Sequence, residues 1–562
     1  QESYYIRDRV NRFTQADGSR IFPLGDILTE RFDQQLSHSG RIQLNYDQTI
    51  NRHSIQGLAG AEIRQVHASG NGLQLFGYDD NVLTFNSQLD YSTRYPVYPR
   101  GTSYLPRPAN TINDLTDRYL SYFGNASYTF NLRYRLSASA RYDASNLFGV
   151  KTNQKGVPLW STGISWDLSD EPFYDVSVLP YLRLRATYGY NGNINKSVTA
   201  YPTAAYSTDW YTNLPILYLR TPGNPQLRWE KVAITNFGVD FEFKNQRLSG
   251  TIEYFKKHGK DIIGEVPLDP TTGAMLGSNL SNKVNYAETM TRGMDIQLKT
   301  INIDQDFQWN SNVIFSFASN KILNYYDEST TYSMIRSGTA QNRSMLPQQG
   351  KSIDGLYSIP WWGLDPETGD PLVEMDGELV KEYREYTQNL TFKALIYHGV
   401  NVAPLYGAVR NNMSWKGWAL SVNISWKANY YFRKSGLNYD NLFDDQAMHR
   451  DFLDRWQQPG DETYTNVPSM PEQANAYRDF VYTGSELMIE KGDHIRLEDI
   501  NFGYTFSQNT SPWLPLKELR VFGYARNLGI LWQASKSGLD PDYPNASYRT
   551  PRTYSIGLNA TF

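Results

Sequence analysis

Apolar and polar residues alternate one by one through most of this chain, and that period of two constrains its fold more than any other feature. Successive side chains of a β-strand point to opposite faces, so each apolar set covers one face of a strand. The clearest apolar sets are Tyr122, Ala126, Tyr128 and Phe130; Leu182, Leu184, Ala186, Tyr188 and Tyr190; Phe237, Val239, Phe241 and Phe243; Trp418, Leu420, Val422, Ile424 and Trp426; and Tyr554, Ile556, Leu558, Ala560 and Phe562. We count about fifteen candidate strands. Half-buried strands of soluble sheets alternate too, but so many long ones are what a membrane β-barrel requires.

One candidate strand changes phase partway along its length. Ile495 and Leu497 share one parity, whereas the apolar residues from position 500 onward take the other. A β-bulge near Glu498 and Asp499 would explain the slip, because one extra residue moves every later side chain to the opposite face. A strand that passes from a loop into the membrane at this point would explain it equally well.

The connections between the predicted strands fall into two length classes. Short turns include residues 131–133, 244–247 and 416–417. Long polar stretches rich in Pro and Gly lie at roughly 70–117, 191–230, 259–288, 320–405 and 432–494. Outer-membrane barrels alternate short periplasmic turns with longer extracellular loops, and a soluble sandwich rarely carries so many long loops.

The composition narrows the classes of protein further. Aromatic residues make up 14% of the chain, including 42 Tyr, yet the mean hydropathy is −0.56. Strands with one apolar and one wet face have this composition, although a large soluble β protein would share it. The net charge of −4 lacks the basic excess of a nucleic-acid-binding protein. No apolar run of about 18 residues is present, so any membrane crossing needs a closed barrel. The absence of Cys excludes disulfides, thiol catalysis and Cys-ligated metals.

Several stretches go beyond a general pattern and resemble one family in consistent order from about residue 30 onward. They are residues 182–193 (LRLRATYGYNGN), 227–231 (LRWEK) with the hairpin that follows, 363–371 (GLDPETGDP), 495–504, 519–528 and the closing strand 551–562. Together they resemble the SusC/RagA-type TonB-dependent transporters of Bacteroidota. In that family a barrel of about 22 strands surrounds a plug.

The resemblance implies an all-β fold, a transmembrane antiparallel β-barrel with long extracellular loops. We expect residues 1–562 to form one barrel segment, about fifteen strands of a barrel of about 22. The plug domain and the first strands of the family pattern have no counterpart here, so we expect no plug in this chain. Either another polypeptide supplies the missing part or it belongs to a longer chain.

The resemblance also implies a function, the import of large nutrients such as glycans or peptides across the outer membrane of a Gram-negative, Bacteroidota-like cell. The implied partners are a SusD-like surface lipoprotein that lids the extracellular mouth, TonB acting through the missing plug, the rest of the barrel, lipid or LPS, and an oligosaccharide or peptide ligand. We expect no nucleic-acid partner. The alternatives are a structural or scaffold subunit of a larger outer-membrane assembly and, less favoured, a soluble surface enzyme.

Candidate site residues are few, and we expect no catalytic ones and no cofactor. Asp365, Glu367 and Asp370 offer oxygen ligands for a loop Ca²⁺, although the same residues more often form a turn. The ligand-binding candidates are the paired aromatics Trp210 and Tyr211, Trp361 and Trp362, and Tyr430 and Tyr431. Their flat rings can stack on sugars or peptides, but an interfacial girdle or a loop core would use the same residues.

Overall fold

A single antiparallel sheet of fifteen strands dominates the computed structural model, which describes residues 4–98, 101–146, 156–193, 199–208, 212, 214–266, 282–325, 331, 335, 347–445, 448–508, 515–544 and 550–562. The strands are β1 (Asp26–Ile50), β2 (His53–Tyr78), β3 (Thr111–Phe130), β4 (Tyr134–Ser145), β5 (Gly156–Asp167), β6 (Tyr181–Asn193), β7 (Glu230–Glu242), β8 (Leu248–Val266), β9 (Asn282–Asp304), β10 (Phe307–Asn324), β11 (Leu405–Trp415), β12 (Trp418–Ala428), β13 (His494–Ser507), β14 (Glu518–Gln533) and β15 (Thr553–Thr561). Each strand pairs with its neighbours in sequence. The predicted all-β fold and strand number are therefore confirmed.

The sheet has two free edges in the part of the chain that is described. There β1 pairs only with β2, and β15 pairs only with β14. The first two strands are also the longest of the sheet, with 25 and 26 residues. Strands of this length extend well beyond the 9–11 residues or so that cross a bilayer.

The register of the sheet sorts apolar and polar residues onto opposite faces. Val239 on β7 stands opposite Leu184 on β6 and Ile252 on β8, so the apolar sets of three strands share one face. Large apolar side chains on this face are open to the surroundings, and Ile42 is 77% exposed. The other face carries charged and amide side chains. We call these surfaces the apolar face and the polar face.

The two ends of the sheet differ in the length of their connections. At the short-turn end, residues 51–52, 131–133, 243–247, 305–306 and 416–417 join neighbouring strands, while residues 168–180 and 508–517 are longer connections at the same end. Asn51, Asn131 and Asn245 adopt left-handed φ angles of 53°, 51° and 61° in these turns. Asn tolerates that conformation better than most residues, which suits it to tight hairpins. The α-helices described below lie at the opposite, long-loop end, either in its connections or in the segment before β1.

A β-bulge interrupts β13 at the position where the sequence changes phase. Asp499 stands opposite Asn423 on β12, whereas Leu497 stands opposite Ile424, so Glu498 is the extra residue. Of the two explanations for the phase change, the structure shows the bulge near Glu498 and Asp499. Its consequence is that both carboxylates reach polar groups of other strands. Glu498 accepts a hydrogen bond from Ser425 on the adjacent β12, and Asp499 pairs with Arg410 on β11.

Four α-helices lie outside the sheet among the described residues. They are α1 (Tyr4–Arg12), α2 (Tyr383–Asn389), α3 (Tyr439–Asp445) and α4 (Ala476–Thr483). Val10 on α1 packs with Phe13, Phe22, Phe76 and Leu105 in a small core against the end of β2. None of the described helices combines the length and the apolar character needed to cross a bilayer.

Candidate functional site

Two long connections fold together at the long-loop end of the sheet. The loop lobe comprises the described residues of 325–404, between β10 and β11, and of 429–493, between β12 and β13. One of its apolar cores contains Ile335, Tyr357, Ile359, Val373, Tyr383, Tyr386, Leu390, Phe480 and Val481, and another contains Leu437, Tyr439, Tyr482 and Met488. The first core draws residues from both connections. Since each fully buried large apolar side chain contributes about 1.5–3 kcal/mol, the lobe has a core of its own.

Two buried arginines tie the connections to each other. Arg433, 5% exposed, donates from Nη1 to the carbonyl of Thr483 (2.9 Å) and from Nη2 to the carbonyl of Tyr357 (2.5 Å). Burial lowers the pKa of Arg433 to about 10, so it stays charged at neutral pH. Arg478 pairs through Nε with Asp370 Oδ1 (2.7 Å) and donates to the carbonyl of Ser469 (2.7 Å). Each guanidinium therefore links residues that are far apart in sequence.

The predicted aromatic residues of the lobe have different environments. Trp361 donates from Nε1 to Asn466 Oδ1 (3.2 Å) and packs edge-on against Tyr482. Tyr430 is 4% exposed, and its hydroxyl lies 3.2 Å from Nδ1 of His494. Tyr431 packs beside His398, whereas Trp362 is 45% exposed. Trp210 and Tyr211 lie outside the described residues.

Trp362 is thus the one described member of this set with a widely exposed ring. Three of the four described side chains pack against other residues of the lobe, and none of the ring contacts of the described residues joins two members of the set. Their ligand-binding role stays a prediction.

The acidic residues 365, 367 and 370 form the turn that the sequence favours. Asp365 Oδ1 accepts from the amides of Glu367 and Thr368, both at 2.9 Å, and Oδ2 lies 3.0 Å from Nζ of Lys381. Burial alone would raise the pKa of Asp365, but hydrogen bonds from Lys381 and from the Thr368 and Glu367 amides outweigh it and lower the value. Asp370 is paired with Arg478. In the described ranges, no group of three or more His, Cys, Asp or Glu residues is arranged to hold a metal.

A polar cavity of about 660 Å³ opens in the segment 453–466 of the lobe. We call it the lobe pocket. Asp454, Gln457 and Tyr464 line it, together with Arg455 and Asn466. The sequence does not mark this pocket, because its residues are ordinary surface types with no motif. A cluster of amides beside an aromatic residue, in 456–466 (WQQPGDETYTN), was the only signal available.

The polar face of the sheet forms a second region of concentrated charge. Arg185 on β6 contacts Asp240 on β7 at 2.8 and 3.0 Å, and it also reaches Glu253 on β8 at 2.6 Å. Arg183 pairs with Asp167 on β5. These networks bind neighbouring strands together through side chains as well as through backbone hydrogen bonds.

A larger cavity, of about 900 Å³, lies on the apolar face. Tyr134, Leu136, Trp166, Leu184 and Phe237 line it. Since these side chains belong to the apolar sets of β4 to β7, the cavity is a groove in the surface predicted to contact lipid. It is separate from the lobe pocket and offers few polar groups to a water-soluble ligand.

The family model and the curated relatives that match this chain all describe TonB-dependent receptors. A family model described as "TonB dependent receptor-like, beta-barrel" matches residues 2–528. The chain is similar to TonB-dependent receptor P26 of Formosa agariphila, with 23% identity over 99% of this chain and 57% of that protein. It is also similar to TonB-dependent receptor SusC of Bacteroides thetaiotaomicron, with 22% identity over 96% of this chain and 51% of that protein. These relatives are named as receptors rather than enzymes.

The fold agrees with that of a solved transporter. The chain superposes on the structure of the RagAB peptide transporter with a TM-score of 0.70 and 22% identity, over 95% of this chain and 56% of that one. The chain spans about half the length of the curated relatives it matches. The family expected from the motifs is confirmed, because the family model covers most of the chain and the fifteen-strand sheet agrees with it. The chain therefore belongs to the TonB dependent receptor-like β-barrel family.

Proposed function

We propose that this chain is part of the wall of an outer-membrane importer that takes up glycans or peptides. The observation that carries the proposal is the division of the fifteen-strand sheet into an apolar and a polar face, in a chain of the TonB-dependent receptor family. A barrel wall in a bilayer needs this division, since one face meets lipid and the other lines a wet interior. The ion pairs of Arg183 and Arg185 on the polar face would then lie inside the barrel.

The exposed apolar residues support a membrane location. Ile42, Leu44, Ile556 and Leu558, on strands near the two edges of the sheet, are each more than 70% exposed. Soluble proteins rarely leave contiguous apolar surfaces of this extent in contact with water, whereas lipid covers them at little cost. Tyr134 and Trp166 stack at the short-turn end of the same face, where an interfacial aromatic belt is expected.

The difference between the two ends supports an orientation. Short turns of such barrels lie on the periplasmic side and long loops on the extracellular side. The loop lobe then faces outward, where a nutrient first meets the protein. We propose that a SusD-like lipoprotein covers this end and that TonB supplies energy through a plug. The similarity to SusC and to the RagAB peptide transporter supports these partners. The RagAB peptide transporter supports the peptide class, and the glycan class rests on the resemblance described from the sequence.

Growth on defined nutrients tests the proposal. The gene for the full-length protein is deleted from its native host, and growth is followed on single neutral glycans, on peptides and on glucose. Import predicts lost growth on one polymer class and unchanged growth on glucose. Deleting the TonB system in the parent strain should reproduce the defect, and a plasmid copy of the gene should rescue only the single deletion.

Two results would contradict the importer. Uptake that survives loss of TonB would exclude energised transport, and growth that is unchanged on every nutrient would favour the scaffold role. Purification of the partners tests the assembly independently. A tagged full-length protein extracted in mild detergent should bring down a surface lipoprotein, whereas a scaffold subunit would bring down other membrane proteins.

A further inference from the structure

We propose that the lobe pocket is a binding site for a neutral oligosaccharide, with the Tyr464 ring as its stacking surface and with Asp454 and Gln457 as partners for sugar hydroxyls. This inference deepens the proposed function and rests on it in one respect, the exposure of the loop lobe to the outside of the cell.

The backbone around the pocket is held by buried and partly buried side chains. Asp461 Oδ2 accepts from the amides of Gln457 (2.9 Å) and Gln458 (3.1 Å). Glu462 Oε2 accepts from Nε1 of Trp456 (3.0 Å) and from the amide of Gly460 (2.9 Å). A site whose shape exists before binding loses little conformational entropy when the ligand arrives.

Trp456 fastens this segment to the rest of the lobe. Its indole is 7% exposed, and a Cβ on Gly369 would come within 2.3 Å of the Trp456 ring, so the two segments are in close contact. Gly369 has a φ of 67°, and its carbonyl accepts from the amide of Ser469 (2.9 Å). The floor beneath the pocket therefore belongs to the folded lobe rather than to an isolated loop.

Tyr464 combines an exposed ring with a fixed position. The residue is 77% exposed, yet its hydroxyl donates to Asp461 Oδ1. The same hydrogen bond lowers the pKa of Asp461, together with the backbone amides of Gln457 and Gln458, so the acceptor stays ionised. An exposed aromatic ring that cannot swing freely is suited to packing against the C–H face of a sugar ring.

Polar groups in the pocket remain open to a ligand. The side chains of Asp454 and Gln457 are exposed and line the cavity, and within the described ranges neither forms a hydrogen bond or ion pair with another side chain or the backbone. Asn466 Oδ1 accepts the hydrogen bond from Trp361 Nε1, and the side-chain amide group of Asn466 can still donate to a ligand. Carboxylate and amide groups supply the paired acceptors and donors that vicinal sugar hydroxyls need.

The charge balance favours a neutral ligand. The opposite charges of Arg455 and Asp454 balance in number. The Asp461 carboxylate already accepts hydrogen bonds from the Tyr464 hydroxyl and from two backbone amides. Arg455 is held in place by the Phe452 carbonyl (2.9 Å) and stacks over the Phe452 ring at 4.0 Å. The described lining of the pocket therefore has no excess positive charge to attract a polyanion. The volume of about 660 Å³ lies within the usual range of ligand sites, about 300–1,000 Å³.

A peptide is the less suitable occupant. Peptides bind by adding a strand to a free sheet edge or by inserting apolar side chains into pockets. Among the described residues, Leu453 is the only aliphatic one that lines the lobe pocket, and it is 73% exposed. The lining therefore lacks the buried apolar subsites that a peptide would fill.

Binding measured on the purified full-length protein tests the inference. Maltoheptaose, laminarihexaose and xylohexaose serve as neutral probes, with a galacturonic acid oligomer and an uncharged hexapeptide for comparison, and titration calorimetry in detergent gives the Kd. We expect at least one neutral probe to bind. Tyr464→Ala should weaken that binding about tenfold or more, Gln457→Ala by about threefold to tenfold, and Tyr464→Phe less than Tyr464→Ala because the ring remains.

Tyr206 provides the matched control, since it is an 85% exposed tyrosine in a different connection. Tyr206→Ala should bind the probes as the wild type does, and unchanged heat-modifiable migration of each variant on gels verifies folding. The inference is overturned if no neutral probe binds or if Tyr464→Ala binds normally. It is also overturned if only the anionic oligomer or the peptide depends on Tyr464. Calorimetry needs no TonB, so a failed uptake experiment and a failed binding experiment are separate results.

Discussion

The guanidinium of Arg185 on β6 reaches across β7 to the carboxylate of Glu253 on β8, with 2.6 Å between Nη2 and Oε1. Gly238 stands opposite both residues in the sheet. Because glycine has no side chain, the guanidinium can pass over β7 at this position. A Cβ at Gly238 would lie 2.9 Å from Nη2 of Arg185. Asp240 accepts two further hydrogen bonds from the same guanidinium, so one side chain connects three strands on the polar face.

Replacing Gly238 with alanine tests the role of this bridge. The new methyl group should displace the guanidinium and lengthen its contact with Glu253, whereas the contact with Asp240 can persist. Both partners are about one-third exposed, so solvent screens the pair. We expect Gly238→Ala to lower the free energy of unfolding by about 1–2 kcal/mol, measured by urea unfolding of the full-length protein in lipid vesicles.

Gly523 is a suitable control for that substitution. It also lies inside a strand, and the nearest atom to a Cβ there is the Phe502 carbonyl oxygen at 3.9 Å. Gly523→Ala should change the unfolding free energy by less than about 0.5 kcal/mol, or stabilise the strand slightly. Equal unfolding curves for Gly238→Ala and the wild type would mean that the bridge contributes nothing measurable.

The alternation of residues 182–191 predicts that Arg183 and Arg185 share the polar face, and the structure agrees. The sequence also predicts an irregularity near Glu498 and Asp499, because a change of parity is visible without knowledge of neighbouring strands, and of its two explanations the structure shows the bulge. It cannot predict the contact between Arg185 and Glu253. That contact depends on the pairing register of three strands, which are separated by connections of very different length.

The burial of individual aromatic residues in the loop lobe cannot be predicted from the sequence, for a related physical reason. Trp361 and Trp362 are adjacent and chemically identical, yet Trp361 packs against Tyr482 and Trp362 is 45% exposed. Tyr430 could equally have been a surface residue, and only the fold shows that it is buried beside His494. Composition predicts that such a loop is folded, but long-range packing decides which rings are free.

Arg433 should be essential to the stability of the loop lobe. Its two donors satisfy the carbonyls of Tyr357 and Thr483, and truncation would leave both acceptors without a partner. A buried acceptor without a hydrogen bond costs about 1–3 kcal/mol. We expect Arg433→Met to destabilise the lobe by about 2–4 kcal/mol and to increase hydrogen exchange in 355–358 and in α4.

Arg384 on α2 is the matched control, because its side chain is exposed. Arg384→Met should leave hydrogen exchange in the lobe unchanged. Arg433→Lys should fall between the two variants, since a single ammonium group retains the charge but lacks the planar fork that reaches both carbonyls. Equal exchange rates in Arg433→Met and Arg384→Met would contradict the assigned role.

Removing divalent cations should leave the loop lobe unchanged. The oxygens of Asp365 and Asp370 already accept from Lys381, Arg478 and backbone amides, so Ca²⁺ would have to displace these partners. A bound ion at one hundred times its Kd would add about 2.7 kcal/mol to stability. We expect the melting temperature of the purified protein to be the same in EDTA and in millimolar Ca²⁺. A saturable rise that Asp365→Asn abolishes would establish the ion site instead.

Asp479 on α4 should make the stability of the lobe depend on pH. Burial raises its pKa from 3.8 to about 6, although the amide of Asp440, which donates to Oδ2 at 2.8 Å, and the charge of Arg478 act in the opposite direction. The folded state therefore binds the proton more tightly than the unfolded state does. Well below pH 3.8 the carboxyl is protonated in both states and does not change the free energy of unfolding. Between about pH 4 and pH 6 it ionises more readily in the unfolded state, so the free energy of unfolding falls as the pH rises.

The shift corresponds to at most about 3 kcal/mol above pH 6. Asp479→Asn keeps an oxygen acceptor for Asp440 but cannot ionise, so this variant should be more stable than the wild type at pH 7 and equally stable near pH 3.5. Hydrogen exchange of α4 amides, corrected for the intrinsic rate at each pH, measures the difference. Glu385→Gln, which removes one exposed carboxylate from α2, should follow the wild-type curve. A constant difference between Asp479→Asn and the wild type at every pH would mean that Asp479 acts through packing and not through its charge.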